Sequence, residues 1–350
     1  MLPVMALDEA TQINSATEAV GVDSLPATSA RRSLSRVELV VAVAGFPLMM
    51  SVTVGGSIVA IGRGAEPNVV TGIVVVAAYF VLAVSAWIMP WHRSWGRSHG
   101  DLRTDIGLAI TNALVNAVIG TAILTVVALG AASLSQTLGS TAWPNDWPLL
   151  AQLALGLVMA EFFEYGFHRM MHEVPWMWRF HATHHSSPRL YWLNAARFHP
   201  IDLLLVGSVK LAPIVLLGGA LPVLAMVNIF SVVHGAYQHS NLPVRIGPLN
   251  WIFSMTELHR WHHSKRMHES NHNYGGNLIV WDILFGTRWL PDDRDPPEAI
   301  GMESLPGFPM GFWANLASPF RWQSVVAESR APDPLETRQS RSIDRLPVAR

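Results

Sequence analysis

The stretch EFFEYGFHRMMHEVPWMWRFHATHHSS, Glu161–Ser187, decides how this chain is read. It opens as the end of an apolar run and closes on five imidazoles, His168 and His172 four apart, then His181, His184 and His185. Positions i, i+3 and i+4 of a helix share a face, so each group presents its rings together. Five nitrogen ligands therefore come from one short stretch at the end of an apolar helix.

Downstream the pattern recurs. HGAYQHSN supplies His234 and His239, and ELHRWHHSKRMHESNHNYGG supplies His259, His262 and His263, with His268 and His272 behind them. Of the 15 histidines only His92 and His99 lie outside the interval from His168 to His272. A single pair four apart arises often by chance, but two HxxHH motifs in one chain do not.

Outward from the histidines the chain is apolar. Runs long enough to cross a bilayer, roughly 20 residues each, begin near Val37, Asn68, Asp105 and Pro148 and end near Ile61, Met89, Leu134 and Phe167. A fifth apolar region, Ile201 to about Gln238, is long enough for a helical hairpin broken at Gly218, Gly219 and Pro222. The expected fold class is all-α, a membrane helical bundle of four to six spans with a cytosolic histidine-rich helical cap.

Arginines set the expected orientation. Arg31, Arg32 and Arg36 precede the first span, and Arg93, Arg97 and Arg103 lie between the second and third. The opposite loops hold only Arg63 in one and no Lys or Arg from Ser135 to Trp147 in the other. The positive-inside bias puts the N-terminus, and with it every histidine motif, on the cytosolic side.

Composition agrees. Half of the 350 residues are hydrophobic, 14% are charged and the net charge is -1. An ordinary soluble domain carries about 25% charged residues. Single scattered basic residues speak against a nucleic-acid partner. No cysteine is present, so disulfides, thiolate ligands and cysteine nucleophiles are excluded and any metal must use nitrogen or oxygen.

The expected organisation is a disordered cytosolic tail over residues 1–36, N-terminal transmembrane helices over 37–147, a catalytic domain over 148–290 and a cytosolic C-terminal tail over 291–350. No signal-peptide pattern opens the chain. Lys210, the one charge deep in an apolar run, is expected to snorkel to the interface. Glu161 and Glu164, seven and four residues before His168, are expected to accept the N–H of ligating imidazoles. His199, His268 and His272 are expected to be structural or auxiliary, and the tryptophans Trp176, Trp178, Trp192, Trp251 and Trp261 to mark the membrane interface.

Ten imidazoles exceed what one metal uses, since a catalytic zinc takes three protein ligands. Two metals at four or five nitrogens each consume the set. Imidazole suits several metals, but a site beside lipid tails faces C–H bonds rather than hydrolysable ones. That favours two redox-active iron ions with O2 as cosubstrate.

At these motifs the chain resembles the fatty acid hydroxylase superfamily, which includes sterol desaturases, sterol C4-methyl oxidases and alkylglycerol monooxygenase. The resemblance runs from about Leu149 to Leu290 through HRMMH, HATHHS, RFHP, HxxxxHSN, ELHRWHHS and NYGGNLIVWDILFGT. Glu161 stands where many relatives have Asp. The resemblance implies a non-haem di-iron oxidoreductase that hydroxylates or desaturates a sterol, fatty acyl or related lipid. It also implies His168, His172, His181, His184, His185, His234, His239, His259, His262 and His263 as ligands.

Neither a GxGxxG fingerprint in a strand-to-helix context nor a cysteine cluster is present, so electrons are expected from an external ferredoxin or haem cytochrome with its reductase. A membrane metal-ion transporter is the alternative, disfavoured because transporters place their sites near the midplane. A zinc hydrolase lacks its HExxH motif here.

Overall fold

The computed structural model describes residues 31–138 and 141–330, and among them the secondary structure is helical, with only two isolated β-bridges. Among the described residues five helices are long and apolar enough to cross a membrane, which fits a multi-pass membrane protein.

Helix α1 (Arg36–Gly62) starts at a capping box in which Ser35 and Glu38 satisfy each other's backbone N–H groups. Helix α2 (Pro67–Ile88) starts with Glu66 as cap and Pro67 at its first position, where proline's missing N–H costs nothing. Helix α3 (Leu102–Val115) runs through a π-helical turn, Asn116–Gly120, into α4 (Thr121–Leu138). Val76 and Val118, each 70% exposed, are among the side chains these helices turn outward. Such surface is compatible with hydrocarbon and not with water.

Helix α5 (Leu149–Glu173) ends because Pro175 disfavours helical geometry at Val174, and α6 (Pro175–His185) restarts with that proline at its first position. Helices α7 (Pro200–Leu216) and α8 (Leu221–Gln238) form the expected hairpin. The chain then makes short helices α9 (Thr256–His262), α10 (Met267–Ser270) and α11 (Val280–Phe285), the last closed by Gly286 in the left-handed region, φ 73°.

Helix α8 is central, with α1, α2 and α5 packed against it, while α7 packs on α5 and α4. Phe46, Leu82, Leu157, Met226, Ile229 and Val233 belong to the resulting core. Association in lipid depends on close van der Waals fit. Gly156 of α5 supplies it, since a Cβ there would lie 3.0 Å from Val227 Cγ2 of α8.

The structure bears on four expectations. Within the segment after residue 290, expected as a cytosolic tail, α12 (Phe312–Ala317) and α13 (Trp322–Arg330) fold back, and Leu305, Phe308, Trp322 and Val325 bury Ala182 of α6. These apolar residues are spread over a Pro-rich, charged stretch, which hid their common contact. The N-terminal tail expectation falls mostly on residues outside the described ones, but its last residues are anchored: Arg32 N donates to Asp295 and Arg32 Nη1 to Trp91 O.

Lys210 does not snorkel. It is buried, lies 3.2 Å from Glu161 Oε1 and also bonds Glu164. Glu161 and Glu164 are thus occupied by a lysine and by a backbone loop rather than by imidazoles. A cation and two carboxylates in an apolar bundle are stable together where each alone is not.

Candidate metal centre

Nine imidazoles converge into two groups where the ends of α5, α6, α8 and α9 meet. His168, His172, His181, His185 and His262 form the first, and His184, His239, His259 and His263 the second. Within each group one nitrogen per ring lies within 4.8 Å of all the others. Rings of His185 and His263 lie 4.5 Å apart between centroids, so the groups adjoin.

Helical geometry divides the motifs. His181 and His185, four apart, enter the first group, whereas His184 enters the second. In the downstream motif His259 and His263 enter the second and His262 the first. Adjacent residues project about 100° apart at 3.6 residues per turn, so each HH pair straddles the two groups. Each motif thereby serves both.

Six rings have their Nδ1 directed outward to an acceptor. His168 meets Tyr274 O at 2.7 Å, His181 meets Asp202 Oδ2 at 2.9 Å, and His184 meets Arg197 O at 3.2 Å. His239 meets Gly235 O at 2.8 Å, His262 meets His272 O at 2.8 Å, and His172 meets Asn271 Oδ1 at 3.3 Å. A carbonyl or carboxylate oxygen accepts only, so in the five rings it faces Nδ1 carries the proton and Nε2 is bare; the Asn271 amide oxygen does the same for His172.

Bare nitrogens face one another. His168 and His181 approach Nε2 to Nε2 at 3.0 Å, and His184 and His239 at 3.3 Å. With both protons committed elsewhere these are lone-pair contacts, not hydrogen bonds. Nε2 of His172, His185 and His262 are buried without a partner. Two nitrogens bound at right angles to one ion at about 2.1 Å would sit about 3.0 Å apart. The donor set therefore fits one metal ion in each group.

The electrostatics agree outside the spans. Burial, reinforced by neighbouring imidazoles, holds His184, His185, His259 and His263 well below the usual histidine range. Burial lowers His262 to about 3 and His239 to about 4. Neutral imidazole is the ligating form. Phe198 stacks on His184 at 4.2 Å, and Trp178 lies 5.2 Å from His172 and 5.4 Å from His185, an apolar collar on the polar cluster.

His234, expected among the ligands, is elsewhere. It packs against Phe46, Phe230 and Phe253, and neither of its ring nitrogens has a partner. His239 lies five residues on, about 140° around the helix, and that rotation separates the two. His199 caps α7, accepting from Ile201 N and bonding Leu316 O through its other nitrogen. His272 contributes its carbonyl to His262, whereas the His268 side chain is 71% exposed.

The supporting residues went unassigned in the sequence. Asp202 lies two residues past RFHP, Tyr274 lies in the NYGGN stretch, and Asn271 and Asp282 lie two residues before it and five after it. Arg197, fully buried, bonds Asp105, Ser186 and the Thr183 carbonyl, and its own carbonyl holds His184. Asp105 also accepts from Tyr191 and Asn194, which ties α3 to the site.

A family model described as fatty acid hydroxylase matches residues 153–287, the segment carrying both groups. Ornithine lipid hydroxylase OlsE of Rhizobium tropici is 46% identical over 173 residues, 49% of this chain and 51% of that one. Alkylglycerol monooxygenase of Xenopus tropicalis is 33% identical over 139 residues, 36% of this chain and 28% of its own length. Very-long-chain aldehyde decarbonylase GL1-11 of Oryza sativa subsp. indica is 25% identical over 162 residues, 45% of this chain and 58% of its own. The chain thus spans about half or less of the length of the first relatives it matches. No solved structure matches it. The matched segment begins inside α5 and ends just past α11, so it contains all nine converging imidazoles.

Proposed function

We propose that the chain is an O2-dependent membrane oxidoreductase that hydroxylates or desaturates a lipid C–H bond at a pair of iron ions. The observation that carries this reading is the convergence of nine imidazoles, six of them tethered outward through Nδ1, on two adjoining centres inside the segment that matches the fatty acid hydroxylase model. His168, His172, His181, His185 and His262 would hold one iron, and His184, His239, His259 and His263 the other. When bound, the iron pair supplies the redox chemistry with O2 that an unactivated C–H bond requires.

The chain's own residues do the rest. The Nδ1 acceptors fix the tautomer and direction of the six rings that have them. Asp202, the one carboxylate on a ligating imidazole here, makes His181 the most electron-rich donor. Phe198 and Trp178 limit water at the imidazoles. A lipid bearing an amino acid headgroup is the preferred substrate, on the 46% identity to an enzyme named for ornithine lipid. The arginine distribution supports a cytosolic site, supplied with electrons by a separate ferredoxin or haem cytochrome.

Metal analysis and turnover test the reading together. The chain purified from membranes should hold iron near two per chain and convert lipid only with O2 and a reductant, giving a product heavier by one oxygen for hydroxylation. Tight zinc with no redox response would overturn it. Lipid profiles of cells with and without the gene, ornithine lipids included, would decide the substrate.

A further inference from the structure

The ion cluster within the bundle and the first imidazole group meet at one loop. Residues 271–278 supply the Nδ1 acceptors of three of the five imidazoles, through Tyr274 O for His168, Asn271 Oδ1 for His172 and His272 O for His262. Two carboxylates, each fully buried, hold that loop. Asp282 accepts from Tyr274 N and Gly275 N, both at 2.7 Å. Glu161 accepts from Asn277 N at 2.6 Å and Leu278 N at 3.1 Å, and from the Asn277 side chain. Between them lies Gly276, where a Cβ would fall 2.6 Å from the Glu164 carboxyl carbon, so the loop rests directly on that carboxylate.

A buried carboxylate is tolerated only with donors or a countercharge. Asp282 has two backbone N–H groups and Thr287, and Glu161 has the loop and Lys210. Without Lys210, Glu161 and Glu164 would be two carboxylates on one helix face lacking their shared cation, and both would pull away from the loop.

We infer that Glu161, Lys210 and Asp282 are positioning residues for the first imidazole group, acting through the 271–278 loop. None is within reach of a reacting atom in this reading. They fix the carbonyls that fix the rings, so a displaced loop frees the rings of His168, His172 and His262 to turn. The second group takes no Nδ1 acceptor from this loop, since His184 uses Arg197 O and His239 uses Gly235 O. Loss of the clasp is therefore felt at the first metal position before the second, which the loop reaches only through neighbours of the ligating residues, Gln238 on Gly276 O and Leu258 O on Asn273. The inference rests on the metal-pair reading above.

Cobalt(II) titration of the chelator-stripped full chain in detergent tests it, read by visible absorption and by metal analysis. Wild type takes up two ions, and His172→Ala identifies the signal of the first position. Glu161→Gln and Asp282→Asn should each weaken that position about 10–100-fold and leave the other within about twofold of wild type. Lys210→Met should act like Glu161→Gln, and Lys210→Arg should restore the affinity. Equal weakening of both positions, or wild-type affinity at the first in both carboxylate variants, overturns the inference. If Glu161→Gln does not fold, Asp282→Asn decides alone. A wild-type chain that binds no cobalt refutes the metal-pair reading and this inference with it.

Discussion

In the His234→Leu variant the chain is expected to keep both metal positions and to stay within about 0.5 kcal/mol of wild-type stability or exceed it, although the local spacing groups His234 with the ligands. The imidazole sits among Phe46, Phe230 and Phe253, and neither nitrogen has a partner. Leaving a buried polar group unsatisfied costs about 1–3 kcal/mol. A hydrophobic side chain of similar volume relieves that, against a shape penalty of under about 1.5 kcal/mol. The net effect lies between a loss of about 0.5 kcal/mol and a gain of about 3 kcal/mol. His239→Leu should behave oppositely, because its Nε2 lies 3.3 Å from that of His184 and 2.9 Å from that of His259. Metal content by mass spectrometry and thermal unfolding of detergent-solubilised protein report the two effects separately. A folded, monodisperse His234→Leu protein lacking one metal would show the assignment of the second group to be wrong.

Asp202→Asn removes the one carboxylate on a ligating ring and should lower metal affinity in the first group about 10–100-fold, measured by competition with a chelator of known affinity. Asp105→Ala strips the fully buried Arg197 of its countercharge, at a cost of about 3–5 kcal/mol. Folded yield after detergent extraction should drop sharply, and unchanged yield would refute the buried pair. His92 provides a pH test. Burial, then Arg260 and Arg32, lowers it from 6.5 to about 4, with Glu298 opposing. The folded state thus binds the proton less readily than the unfolded one, so stability falls as pH drops through 6.5 and levels off near 4. His92→Gln should show a shallower decline in unfolding temperature between pH 7 and 5, and an unchanged slope would refute the shift.

The spans and the imidazole motifs were legible because both are local. A run of about 20 apolar residues declares itself regardless of its neighbours, and the edges near residues 37, 68 and 148 lie within a residue or so of where the helices begin. The four-residue spacing of His168 and His172 puts them on one face in any helix, and the structure does place them together.

Tertiary structure decided everything that depends on the far side of a contact. His234 and His239 both end the same helix, and only the placement of α9 reveals which one faces the cluster. Lys210, Glu161 and Asn277 are separated by 49 and 116 residues along the chain in their pairings, and their bonds exist only because α5, α7 and the 271–278 loop meet. The outward acceptors are mostly backbone carbonyls, which every residue carries, so no residue type announces them. Ligand identity is written in side chains and is visible in sequence, whereas ligand orientation is set by backbone brought from a distance.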